Sequence, residues 1–175
     1  MNNDRVRSIV LFATLFVVLG LANYNIAGKE AIIREGSTVL LRLAPRDPRS
    51  LLQGDYMALN YAMIGAVERA AAAAEVTDGV AILSLDGNAE ATFVALYQGG
   101  DLQEDQQLLR FRRRGDSVRL ASDAFFFEEG QFETYRNASF GELRVAEDGS
   151  AVLTGLRDAD GNRLGPGLHQ LGDSE

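Results

Sequence analysis

The side chains that carry most enzyme chemistry are scarce in this sequence. The single histidine, His169, lies in a Gly- and Pro-containing C-terminal tail. A Ser-His-Asp arrangement needs an immobilised imidazole, and such a tail offers nothing to hold the ring. Zinc sites built on several imidazoles are excluded. There is no cysteine, so disulfides, thiolate catalysis and cysteine metal sites are excluded as well. The single lysine, Lys29, would have to serve any Ser-Lys dyad. It follows directly on a long apolar run and reads as a snorkelling interface charge.

Carboxylates remain. Asp55, Glu128, Glu129 and Glu133 are available to an envelope hydrolase, which would need two of them roughly 5–9 Å apart across a cleft. At the start of a helix, Glu128 and Glu129 would instead complement its dipole. Asp158-Ala159-Asp160-Gly161-Asn162 begins like a calcium loop. Its glycine stands at the fourth position, however, and His169 occupies the twelfth, where a bidentate glutamate is required. A plain Asp/Gly turn is the expectation. Arg112-Arg113-Arg114 reads as a solvated strand end before a turn, and the RGDS and NAS patterns at 114–117 and 137–139 as a turn and a helix end. No metal or cofactor is expected, and a non-enzymatic role is favoured.

The elements that would position these groups begin with an apolar stretch. Ser8 to Gly28 carries no charge over 21 residues, and a helix of that length spans a hydrocarbon core of ~30 Å. Residues 1–28 are therefore read as a transmembrane anchor, with Tyr24 at the interface. Arg5, Arg7 and the Gly20-Leu21-Ala22 pattern also fit a cleaved signal peptide. Either reading exports the remainder. That remainder holds 15 basic and 24 acidic residues, a balance that repels nucleic acid and anionic surfaces.

Beyond the anchor, alternation predicts a mainly β, antiparallel domain (β-rich α+β) with one or two short helices over residues 29–162. Val39, Leu41 and Leu43 share one strand face. Asp47-Pro48 reads as a helix N-cap with proline at the first helical position, and Gly54 as the residue past that turn. A strand over 55–64 sends Met57, Leu59, Tyr61 and Met63 to one face, with Tyr61 in the core, and Tyr56 and Asn60 to the other. A helix is predicted over 67–76, stopped by Asp78-Gly79. Strands over 79–86 and 91–98 turn at Asp86-Gly87-Asn88, and strands over 107–114 and 117–122 at Gly115-Asp116. A helix over 128–138 puts Phe132 and Tyr135 on one face. A final hairpin turns at Asp148-Gly149. Alternation cannot bury Phe125, Phe126 and Phe127 together, so at least one must meet a second layer or a partner. Residues 163–175 read as a flexible tail.

Two stretches carry a resemblance. DPRSLLQGDYMALNY contains Gly54, Asp55, Tyr56, Leu59 and Tyr61 at the spacing of the GDYxxLxY family of bacterial membrane-anchored proteins, preceded by Asp47-Pro48-Arg49. Gln53 stands where members often carry arginine. FFFEEGQFETYRNASFGELRVAEDGSAVLTGLRD is similar to the family's C-terminal block. The resemblance implies a single-pass protein of the bacterial inner membrane with a periplasmic domain. It also implies association with a multi-span membrane protein. It supplies no catalytic residues. The polar residues that packing leaves unexplained are Asp47, Arg49, Asp55, Tyr56, Glu129, Tyr135 and Arg144. A pairing of Arg49 with Asp55 or Glu129 would make the motif a structural clamp, and convergence on a cleft would make it a binding site. The expected function is an accessory or regulatory partner of a multi-span protein. The alternatives are the carboxylate hydrolase and a module that binds an envelope glycan or lipid.

Overall fold

A computed structural model describes residues 3–44, 56–115 and 117–166. The chain opens with helix α1, Asn3–Glu35. From Arg7 to Glu35 this helix is long and apolar enough to cross a membrane, and its apolar side chains are exposed. Thr14, Asn23 and Asn25 each donate to the carbonyl four residues earlier. Their polarity is thus satisfied within the helix, as a hydrocarbon environment requires. The helix runs seven residues past Gly28 because nothing between Lys29 and Glu35 breaks it. Gly36 ends it, donating its N–H to the Ile32 carbonyl at 2.9 Å.

Among the described residues, ten strands and two shorter helices follow. They are β1 Ser37–Arg42, β2 Tyr56–Ala58, α2 Ile64–Ala73, β3 Asp78–Leu85, β4 Ala91–Leu96, β5 Gln106–Arg114 and β6 Ser117–Arg119. After these come β7 Ala124–Phe126, α3 Phe132–Tyr135, β8 Phe140–Val145, β9 Ala151–Arg157 and β10 Arg163–Leu164. The paired strands are antiparallel and form three sheets, ordered β1-β8-β9-β10, β2-β7 and β4-β3-β5-β6. The sheets are stitched at their edges. Leu40 N–H bonds the Ala89 carbonyl, and Arg110 N–H bonds the Gly149 carbonyl, both at 2.8 Å. One core results. Val39, Leu41, Leu143, Val145 and Leu156 of the first sheet meet Leu83, Leu109 and Phe111 of the third, with Val67 and Ala71 of α2.

Turn chemistry sets the hairpin registers as expected. Gly149 has φ 83°, a left-handed geometry that favours glycine. A Cβ there would also lie 3.1 Å from the Arg110 nitrogen. Asp148 accepts hydrogen bonds from the Ser150 N–H and hydroxyl. Asp158 accepts from the N–H groups of Asp160 and Asn162, forming the expected Asp/Gly turn.

Several expectations change. The strand predicted over 55–64 is short, because the chain leaves the β2–β7 pair after Ala58 and turns into α2. Met57, Leu59 and Tyr61 are nevertheless buried. The helix predicted over 67–76 starts three residues earlier and ends at Ala73. Asp78 and Gly79 do not stop it but open β3, and the reversal falls on Glu75, at φ 55°. The helix predicted over 128–138 shrinks to Phe132–Tyr135. Gly130, at φ 84°, makes a turn first, so Glu128 and Glu129 precede the helix rather than lying in its first turn. The predicted tail is partly structured, since Arg163 and Leu164 add β10 to the first sheet.

Leu143 is fully buried at the centre of the first sheet. L143A is expected to lower the unfolding free energy by about 3 kcal/mol, while V94A at an exposed position should change it by less than about 0.5 kcal/mol. Denaturant titration of the full chain in detergent measures both. The carboxyls of Asp148 and Asp158 are held below the ordinary aspartate range. The main cause for Asp148 is the Ser150 N–H bond, and for Asp158 the Asn162 side-chain bond. A depressed folded pKa gives stability that is complete above the unfolded value, ~3.9, and is lost as pH falls through the folded one. Stability should therefore hold down to about pH 5 and decline below about pH 4, with a shallower acid limb in D148N.

Candidate functional site

The motif residues Asp47, Arg49, Gly54 and Asp55 lie outside the described residues, as does His169. The clamp between Arg49 and Asp55 or Glu129, and any hydrolase cleft using Asp55, fall there with them. The remaining motif residues occupy three places.

The first is the core. Leu59 is buried, and Tyr61 inserts its ring beside Gly141 and donates its hydroxyl to the Ser122 carbonyl at 3.0 Å. A Cβ on Gly141 would come within 3.0 Å of that ring, so the glycine makes room for the tyrosine. Burial, reinforced by Asp123, raises the Tyr61 phenol well above its ordinary pKa. Its hydroxyl stands as a buried hydrogen-bond donor.

The second is an aromatic surface on β7. Its alternation with β2 places Tyr56 opposite Phe126, and the two rings lie 5.7 Å apart. Both point outward, Phe126 with 75% of its surface exposed and Tyr56 with 43%. Phe125 and Phe127 turn inward and pack on the buried Tyr135 ring, at 5.1 and 5.2 Å. The triple-phenylalanine run thus divides as alternation requires, two rings packing on the core and one left outside. Beside them is a cavity of about 300 Å³, lined by Phe125, Phe126, Phe127, Tyr135, Thr154 and Pro166 among others. Glu128 and Gln131 line it as well, and Glu129 is exposed in the following turn. The Tyr135 phenol is raised by burial and by Glu128. This surface is equipped to hold an apolar or ring-shaped group.

The third is Arg144, which stands apart from the aromatic surface. From β8 it reaches back to the end of α1. It donates to the carbonyls of Ile33 at 3.0 Å and Arg34 at 3.2 Å, and to the Thr38 hydroxyl at 2.8 Å. These are last-turn carbonyls that lack helical partners, and a cation there also complements the negative end of the helix dipole. Gly36 allows the close approach. A Cβ there would lie 2.6 Å from the Ile32 carbonyl oxygen and 2.9 Å from that of Val145.

Sequence reasoning did not single out Glu142, the buried carboxylate of β8, of which only 6% is exposed. It accepts from Arg157 Nε at 2.5 Å and from the Thr154 hydroxyl at 3.3 Å, and Arg163 lies 3.6 Å away. A β-bulge puts Thr154 there. The pairing shifts between Glu142/Gly155 and Leu143/Leu153, leaving Thr154 as the extra residue. Arg157 also donates to the Gly161 carbonyl, and Arg163 to the Thr154 carbonyl. The network folds the segment after β9 back onto the sheet. The available signal was a glutamate at a strand position flanked by glycine and leucine, two residues from an equally unexplained arginine.

A family model described as GDYXXLXY protein matches residues 18–156. The chain belongs to this family. The match runs from within α1 to the end of β9, and so takes in the Arg144 junction, the aromatic surface and Glu142. It covers a GDYXXLXY domain of unknown function. No curated protein and no solved structure matches the chain.

R144A is expected to cost about 1–3 kcal/mol of domain stability and to speed tryptic cleavage after Arg34. R144K, which keeps the charge but not the three-bond geometry, should fall between. Unchanged cleavage in R144A would remove the junction role. E142A leaves two arginines facing an empty site and is expected to destabilise by about 2–4 kcal/mol, since both partners are partly solvated. Thermal unfolding of the full chain checks this.

Proposed function

We propose that this GDYXXLXY protein is a single-pass protein of the bacterial inner membrane. Its β-rich domain stands in the periplasm and acts, without catalysis, as an accessory or regulatory partner of a multi-span membrane protein. The observation that carries the reading is the grip of Arg144 on the last turn of α1. The apolar helix enters the domain without a linker and is fixed to its central strand. A domain mounted this rigidly is held at the bilayer surface in one orientation. It can therefore present a constant face to a neighbour in the same membrane.

The exposed Tyr56–Phe126 pair beside an apolar cavity also favours a second reading, a module that binds an envelope lipid or glycan through ring faces.

Purification of tagged full-length protein from detergent-solubilised membranes separates the two. The accessory reading expects one multi-span protein to co-purify, and to be reduced at least tenfold by F126S, which alters an exposed ring and leaves the core intact. If no membrane protein co-purifies, the accessory reading fails. Extraction of a lipid or glycan with the wild type but not with F126S would then support the second.

A further inference from the structure

Strand β5 alternates between two environments. Leu109 and Phe111 enter the core, while Arg110, Arg112 and Arg114 face outward. On the neighbouring strand β6, Arg119 lies directly opposite Arg112. These four guanidinium groups line one open cleft of about 790 Å³, together with Asp78 and Ser150. Like charges placed directly opposite one another on a sheet are destabilising. Core packing does not require them, since Leu109 and Phe111 already bury the strand's other face. They are also concentrated on a chain of net charge -8.

Three of the four are oriented by exposed carboxylates. Arg110 pairs with Asp148 and Arg112 with Asp78, each at 3.0 Å, and Arg119 pairs with Asp123 at 2.9 Å. Exposed pairs of this kind are weak and yield readily to a competing anion. Arg114 makes no ion pair among the described residues.

The cleft wall is also joined to the exit of the helix through paired strands. Arg110 is tied to the tip of the β8–β9 hairpin through Gly149 and Asp148. Ala151, in the cleft wall, lies opposite Val145, which lies opposite Ser37, two residues past the end of α1. From Gly28, where the apolar run ends, seven helical residues rise about 10 Å to Glu35. The headgroup layer is roughly 5–8 Å thick. The helix exit to which that wall is paired therefore stands at the outer edge of the headgroups.

We propose that Arg110, Arg112, Arg114 and Arg119 form a binding face for a phosphate-bearing anion, presented at the bilayer surface as an anionic lipid headgroup. The planar guanidinium fork matches phosphate oxygens in pairs. On a chain of net charge -8, a cluster of arginines is the part that an anionic bilayer attracts. The inference rests on the anchored reading given above.

The test titrates full-length protein in neutral detergent with short-chain phosphatidylglycerol, short-chain phosphatidylcholine and inorganic phosphate, read by calorimetry. Phosphatidylglycerol is expected to bind in preference to phosphatidylcholine, with affinity falling steeply as salt rises. R114Q and R119Q should each weaken it about tenfold, the effect of one lost charge-assisted bond. R136Q removes the same charge from the residue that follows α3 and should change Kd less than about twofold. Inorganic phosphate binding as tightly as the lipid, and lost in R114Q, would support the site and assign it a soluble ligand. Binding of neither anion, equal binding of phosphatidylcholine, or equal weakening by R136Q would overturn the proposal. Carbonate extraction of membranes tests the anchor separately. Release of the protein there would sink the anchored reading without altering the titration.

Discussion

The fold hangs on one guanidinium. Arg144 occupies the last turn of α1, where carbonyls would otherwise lack partners, and it also holds Thr38 at the start of β1. The junction has no slack, because a side chain at Gly36 would collide with backbone on both sides. The direction in which the chain leaves the apolar helix therefore sets the pairing of Ser37 with Val145, and through it the whole β1–β8 register. A linker of even a few residues would uncouple the two. Here the helix and the central strand behave as a single piece.

The same face of β8 explains a second feature. Phe140, Glu142 and Arg144 alternate along it, and each is covered by a cationic or helical partner rather than by a second apolar layer. Arg42 lies 4.6 Å from the centre of the Phe140 ring and pairs with Glu90. Arg157 and Arg163 close over Glu142. α1 ends against Arg144. A buried carboxylate loses the solvation of water, and two donors with a second nearby arginine offset that loss while drawing the segment from Asp158 to Leu164 onto the sheet. The strand is thus buried on both sides, apolar toward the core and ionic away from it.

Around this frame the domain displays two surfaces of opposite character. The β2–β7 pair carries exposed aromatic rings beside a cavity whose Thr154 wall is itself held by Glu142. The β5–β6 ribbon carries arginines along an open cleft. Both arise from strict alternation on strands whose other face is committed to the core. Their separation follows from the β8–β9 hairpin, whose tip reaches β5 while its middle backs the aromatic cavity.

Much of this was legible in the residues. The uncharged run, the hairpins at Asp86-Gly87-Asn88 and Asp148-Gly149, and the division of the three phenylalanines follow from local rules. Each depends on a period, a turn residue or a charge, and those act over a few residues. The family signature was legible in the same way, as letters at fixed spacing. The extent of the second strand and of the helix near Tyr135 was not. Their lengths are set by where Leu43 meets Tyr61 and by how much of the chain from 128 to 138 the core can cover. The roles of Glu142 and Arg144 lay further out of reach. Both are charged residues on a strand, and the sequence identified Arg144 only as unexplained. What decides them is contact across 15 and 111 positions of chain. The sequence by itself determined which segments would be apolar, alternating or turning, because those properties belong to neighbours along the chain. Only the tertiary structure decided which charge would meet which, because the energy of an ion pair depends on a separation in space that spacing along the chain does not fix.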